Sequence, residues 1–304
     1  PREGRMFRRL LVPLDGSRLA EAALPPAVTL ARQLGAEITL FHAVERSAPE
    51  TVHGERHLTA QAEAAAYLAE AASWVAAQGV AVRTHLDTTT TDVAASIVSG
   101  GAEEAADLVV LCTHGRGGLR GLLFGRVAEQ VLQRGQIPVL LVRPTPAGRE
   151  QSFTCRRIMV PLDGSPTAEA ALPPALEVAR ACAAELLLVM VVPTVQTVSG
   201  ERAAATRLMP IAAAALLDSE AADAARYLQS TAANNAAGAR TQAVVERGEP
   251  VGTLLDVAAR RAADLIVMAT HGRSGVDAMW AGSVAARIIA HSTRPVLLVR
   301  VPRR

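Results

Sequence analysis

The sequence predicts an α/β protein built of two tandem doubly wound domains, each a parallel sheet with helices on both faces. Three observations carry this. Long motifs recur, short apolar runs alternate with amphipathic stretches, and glycine-bearing turns follow particular runs. The segment Val12-Pro13-Leu14-Asp15-Gly16-Ser17 returns letter for letter at residues 160–165, and residues 20–27 return unchanged at 168–175. Thr113-His114-Gly115-Arg116 matches Thr270-His271-Gly272-Arg273, and residues 138–143 nearly match 295–300. The early motifs repeat at an offset of 148 residues (Asp15 to Asp163) and the late ones at 157 (His114 to His271). The second copy is therefore nine residues longer, with the extra residues placed in its middle.

Each element follows from local chemistry. Residues 8–12 read as a first strand stopped by Pro13, with Asp15 just past its end and Gly16-Ser17 supplying a turn and a helix cap. Residues 19–34 are Ala-rich and amphipathic and end at Gly35; the Pro25-Pro26 pair predicts a kink or a late helix start. Residues 37–44 form a second strand, 46–59 a loop, 60–78 a helix ended by Gly79, and 80–86 a third strand. A helix over 92–104, a strand over 108–112, a loop to Phe124, a helix over 125–134 and a strand over 138–142 complete the copy. Pro144-Thr145-Pro146-Ala147-Gly148 has linker composition, dividing the chain into domains 1–147 and 148–304. The second copy repeats the plan from Arg157, with its extra residues expected within 193–215.

Parallel strands joined through helices require right-handed crossovers, and open sheets of this kind bind ligands beyond the strands' carboxyl ends where the winding reverses. With strand 1 beside strand 4, that crevice lies between Asp163 and the loop entered by Ala269-Thr270-His271-Gly272. After the nine residues 273–281 come Gly282-Ser283, and a second apolar-periodic stretch opens a helix at Val284. Strand, glycine-bearing loop and helix start together suit a phosphate, because glycine admits close backbone approach and free helix N–H groups attract anions.

Composition narrows the chemistry. Half of the 304 residues are hydrophobic, yet no apolar run reaches the roughly 18 residues of a membrane span. The formal charge is +2, aromatics are scarce, and the arginines are scattered, so neither a nucleic-acid surface nor a membrane partner is expected. No secretory leader pattern is read, and three cysteines without a CxxC pair fit a reducing cytoplasm. The chain contains no lysine. A Walker-type loop and a Schiff-base mechanism are thereby excluded, leaving backbone N–H groups, hydroxyls and arginines to hold any phosphate. His114 and His271 serve loop geometry or acid–base work; His53 and His57 stand at i, i+4 in a loop-like setting, read as solvated; Cys112 closes a buried strand as an inert thiol.

These motifs resemble the universal stress protein family in its tandem two-domain form. The resemblance covers both copies and rests on the V-P-x-D-G-S opening, the T-H-G-R turn, the nine-residue gap to Gly-Ser and the closing P-V-L-L-V-R strand. It implies five parallel strands in the order 3-2-1-4-5, pairing of the two halves through their fifth strands, and a cytoplasmic, stress-responsive protein binding ATP, ADP or AMP, with hydrolysis slow at most. Further pairing into homodimers and a bridging Mg2+ stay open. In the second copy it places Pro161 and Asp163 near adenine and ribose, Val191 at the adenine through its backbone, and Ala269, His271, Gly272, Arg273, Gly282, Ser283 and Val284 at the phosphates. Ala269 replaces the family's first motif glycine. In the first copy Pro13, Asp15, Ala43, Gly115 and Gly125 match, but Cys112 stands at the first glycine. Arg126 replaces the serine there, either as a substitute cation or as a plug. Two other readings of the fold are a nucleotide-hydrolysing or adenylyl-transferring enzyme and a nucleotide-free interaction protein.

Overall fold

The computed structural model describes residues 5–45, 51–52, 55–56, 58–88, 91–113, 125–198, 203–204, 208–235, 239–271 and 284–301. In the first half the strands are β1 (Arg9–Pro13), β2 (Glu37–Ala43), the short pair β3 (Thr51–Val52) and β4 (Glu55–Arg56), β5 (Val82–Asp87), β6 (Leu108–Cys112) and β7 (Val139–Val142). Its helices are α1 (Leu24–Leu34), α2 (Gln61–Ala77), α3 (Val93–Glu103) and α4 (Arg126–Arg134). The second half holds β8 (Arg157–Pro161), β9 (Glu185–Val192), β10 (Thr241–Arg247), β11 (Leu265–His271) and β12 (Val296–Val301). Around them lie α5 (Pro166–Glu169), α6 (Leu172–Cys182), α7 (Pro210–Asn235), α8 (Pro250–Arg260) and α9 (Val284–His291).

Ten strands form one sheet in the order β10-β9-β8-β11-β12-β7-β6-β1-β2-β5. Each half alone has the order 3-2-1-4-5, with parallel neighbours throughout. At the centre β7 and β12 pair antiparallel, Leu140 opposite Leu297. The inner strands are apolar on both faces, as buried parallel strands must be, while the edge strands β5 and β10 carry polar, exposed residues. Leu10 and Val12 point into one core and Leu11 into the other, with the same alternation at Leu186, Leu187 and Leu188. Helices α1, α2, α6 and α7 cover the first face and α3, α4, α8 and α9 the second.

The halves also touch through polar groups. Arg300 on β12 donates to the carbonyls of Leu132 and Gly135 at the carboxyl end of α4. Reciprocally, Arg143 just past β7 donates to the Ser292 carbonyl after α9, at 3.5 Å. Each is a cation at a helix carboxyl end, where exposed carbonyls favour positive charge. Glu177 of α6 accepts from the amides of Met6 and Phe7 at 2.8 to 3.1 Å.

Three expectations need correction. Within 46–59, Thr51–Val52 and Glu55–Arg56 pair as a small antiparallel hairpin instead of a plain loop. The nine extra residues of the second copy do not lie in a spacer over 193–215: α7 has 26 residues against 17 in α2. Its proline sits in the first turn, where no amide bond is lost, and the following alanines favour helix. Strand β11 runs on to His271, because Ala269, Thr270 and His271 stay paired with Val299, Arg300 and Val301. Those residues are ladder, not turn. The expected late helix start at the prolines does appear, as a 3-10 turn over Ala20–Ala23 followed by α1.

Candidate functional site

The crossovers of the second half place α6 and α7 on one face and α8 and α9 on the other, so the winding reverses between β8 and β11. Beyond the carboxyl end of β8 the chain makes a tight turn. Leu162 still donates to the Val189 carbonyl at 2.8 Å, which levels Asp163 with Val191 on β9. Asp163 is exposed and accepts from the Ser165 amide at 2.9 Å, while Gly164 takes φ +81°, open to glycine without strain. Ser165 then caps α5, accepting from the Ala168 amide at 3.2 Å. On the other side of β8, Leu265 and Ile266 stand opposite Ile158 and Met159, which carries Ala269 to the same edge. Pro161, Asp163, Val191 and Ala269 thus converge on one edge from three adjacent strands. Val284 opens α9, which leaves the same side. Gly272, Arg273, Gly282 and Ser283 lie outside the described residues, as do the side chain of His271, Trp280 and, in the first half, His114 and Gly115.

The first half has the same plan with different contents. Asp15 accepts from the Ser17 amide at 2.9 Å and from its hydroxyl at 2.6 Å, and Gly16 has φ +87°. Over Gly16, however, a Cβ would stand 2.7 Å from Leu58 Cδ1, whereas over Gly164 the nearest atom, Met190 Cε, is 4.0 Å away. Leu58 covers the first turn; over the second, no atom of the described residues stands closer than 4.0 Å. Cys112, the counterpart of Ala269, donates its S–H to the Leu19 carbonyl at 3.1 Å, and burial followed by the nearby Asp15 charge pushes the thiol far up. It is therefore a packed, unreactive thiol, as its sequence position suggested. Gly125 donates its amide to the Thr113 carbonyl, and Arg126 is exposed at the first position of α4, where a cation opposes the helix dipole. Pro13 closes β1 and Ala43 closes β2, buried on the next strand.

Two tyrosine–glutamate pairs escaped the sequence reading. Tyr227 of α7 donates to Glu169 Oε1 at 2.7 Å. Burial, then that carboxylate, with a contribution from Asp163, pushes the phenol up to about 12. Tyr67 of α2 is partly buried near Glu21 and Asp15, its hydroxyl enclosed without a hydrogen-bond partner among the described residues, and burial foremost raises it further. The signal was available: the chain has only two tyrosines, and Glu21 and Glu169 are the same position of the repeated motif. In the first half the interdomain turn adds Arg149, 2.7 Å from Glu70 and 3.6 Å from Glu21. Among the described residues no group of three His, Cys, Asp or Glu side chains is placed to hold a metal, and no helix is long and apolar enough to cross a membrane. A cavity of about 630 Å3 between α1 and α6 opens at the amino ends of the strands, lined by Arg5, Leu34, Leu176, Glu177 and Arg180, away from this edge.

Two doubly wound units joined edge to edge, each with an aspartate turn at its switch point, define a tandem α/β protein with one crevice in each half. The chain belongs to the universal stress protein family, whose model matches residues 6–143 and 154–300. A universal stress protein of Mycolicibacterium smegmatis is 28% identical over 305 residues, covering 96% of each chain. Universal stress protein YxiE of Bacillus subtilis is 30% identical over 151 residues, 45% of this chain and 100% of its own length. The crystal structure of a universal stress protein from Archaeoglobus fulgidus superposes with a TM-score of 0.68 at 20% identity, covering 96% of this chain and 98% of that one. The last likeness is one of fold.

Proposed function

We propose that this chain is an adenine-nucleotide-binding regulatory module of the stress response, and that its second half, over 148–304, carries the working site. One observation supports this above the others: on the edge shared by Asp163, Val191 and Ala269 no atom of the described residues stands closer than 4.0 Å to a Cβ over Gly164, while Leu58 stands 2.7 Å from the matching point over Gly16. In this reading ATP, or ADP or AMP, lies across the mouth between β8 and β11. Asp163 accepts from the ribose hydroxyls, the backbone of Val191 meets the adenine, and Pro161 walls the base. Ala269, His271, Gly272 and Arg273 lead into the phosphate loop, and Gly282, Ser283 and Val284 present amides and a hydroxyl to the phosphates. The first half, 1–147, keeps Pro13, Asp15, Ala43, Gly115, Gly125 and Arg126 as a degenerate copy that stabilises the second.

With no lysine in the chain, charge on the phosphates is met by dipoles, Arg273 and any bound Mg2+. Phosphoryl transfer depends on positioning groups and cations, so hydrolysis is slow. A cytoplasmic setting and docking of the halves as an internal pseudo-dimer complete the proposal. The test is equilibrium dialysis with labelled ATP. Gly282→Asp combined with Ser283→Ala puts a carboxylate before the phosphates and removes a hydroxyl, and is expected to abolish retention. Unchanged retention by the doubly substituted protein refutes the site.

A further inference from the structure

The second half contains a thiol pair far from the crevice. Cys155 lies two residues before β8, and Cys182 is the last residue of α6. Only Ala183 and Ala184 separate α6 from β9. Ala183 takes the left-handed conformation, φ +52° and ψ +36°, and turns the chain directly back. Glu185 then donates to the Arg156 carbonyl at 2.8 Å and stands opposite Arg157. Continued two residues back, this register sets residue 155 level with Ala183, next to Cys182. The two side chains share one apolar cluster, Cys155 within it and Cys182 packed against it, near enough for each thiol to influence the other's ionisation. Cys155 is 6% exposed; Cys182 is only half-buried and open to small reagents.

The first half shows what the position requires for packing alone. At the offset of 148 residues the counterparts are Phe7 and Leu34, both fully buried, with Gly35 in the same left-handed cap. An aromatic and an aliphatic side chain fill this place adequately. The second copy carries two thiols instead, with unequal reactivity. Their interaction favours the Cys182 thiolate, while that same interaction and burial hold Cys155 protonated.

We propose that Cys155 and Cys182 form a peroxide-responsive dithiol that closes to a disulfide, tying the carboxyl end of α6 to the start of β8. The Cys182 thiolate attacks one oxygen of hydrogen peroxide; the O–O bond breaks, hydroxide leaves and takes up a proton, and Cys182 becomes a sulfenic acid. The Cys155 sulfur then attacks the Cys182 sulfur. The S–O bond breaks, and hydroxide departs with the Cys155 proton as a second water. Two thiols and one peroxide give one disulfide and two waters, the sulfurs supplying two electrons to the peroxide oxygens. A thiol reductant reverses the change. Cys112, bonded to the Leu19 carbonyl in the first half, takes no part.

The test treats the full chain with hydrogen peroxide, blocks remaining thiols under denaturing conditions, and maps peptides by mass spectrometry. The expected product joins the Cys155 and Cys182 peptides with the loss of two hydrogens, disappears on reduction, and persists in Cys112→Ser. In Cys155→Ser, Cys182 should accumulate as a sulfenic acid trapped by dimedone. In Cys182→Ser, Cys155 should stay reduced. On the untreated protein at neutral pH, Cys182 should alkylate about ten times faster than Cys155. Three titratable thiols after peroxide, or oxidation that begins at Cys155, overturns the proposal.

Discussion

At the scale of the residue, the two copies share one turn and differ in what the described residues set over it. Asp15 and Asp163 make the same turn, yet Leu58 lies over Gly16 and, among the described residues, nothing lies as close over Gly164. That difference was invisible in the sequence, since Leu58 comes from a stretch without periodicity and contacts a residue 42 positions earlier. Asp163 and Ala269, by contrast, were legible from motif spacing and Val191 from the family resemblance, and the strand register brings all three to one edge. The tyrosines give a direct check on how each mouth is wired. Tyr227 donates to Glu169, so deprotonation would leave a phenolate facing a carboxylate. A raised folded value stabilises the protein fully below the unfolded value near 10 and loses that contribution as pH rises through about 12. Ultraviolet titration of the native protein should therefore show no tyrosinate until well above pH 10, and Glu169→Gln should bring one of the two tyrosines down. Titration of both near their ordinary value in the native protein would contradict these contacts.

At the scale of the element, periodicity revealed nearly every strand and helix, and its failures have physical causes. The length of α7 was missed because its alanine run has no polar face to mark a helical period. The β11 end was placed early because Thr270 and His271 resemble turn residues, and pairing with β12 keeps them extended. Packing overrides propensity elsewhere too. Gly100 lies inside α3, where alanine would favour helix by about 1 kcal/mol. A Cβ at that position would stand 2.5 Å from Cε2 of Phe41, a fully buried ring that also stacks on His85 at 5.2 Å. Overpacking of this kind costs about 1–3 kcal/mol, so Gly100→Ala is expected to destabilise by a net ~0.5–2 kcal/mol in urea unfolding. A stabilised variant would show that Phe41 yields freely.

At the scale of the whole molecule, ten strands share one sheet, and its central seam is as apolar as the interior of either half. Leu140, Leu141, Leu297 and Leu298 are all fully buried there. Arg300 and Arg143 bind each half's strand region to the other half's helix ends. Separating the halves would expose this seam and leave a long unpaired edge. Calorimetry should accordingly record one unfolding transition for the intact chain, and Leu297→Asp should lower it as a unit; two resolved transitions in the unsubstituted protein would mean that the seam is weak. The repeated fold, then, is shared evenly between the halves, while the proposed nucleotide site belongs to one of them. The most direct test of that asymmetry is the stoichiometry of ATP binding by isothermal titration calorimetry. One nucleotide per chain, lost in Asp163→Ala and retained in Asp15→Ala, is the predicted result; two per chain, or loss on substituting Asp15 alone, would contradict it.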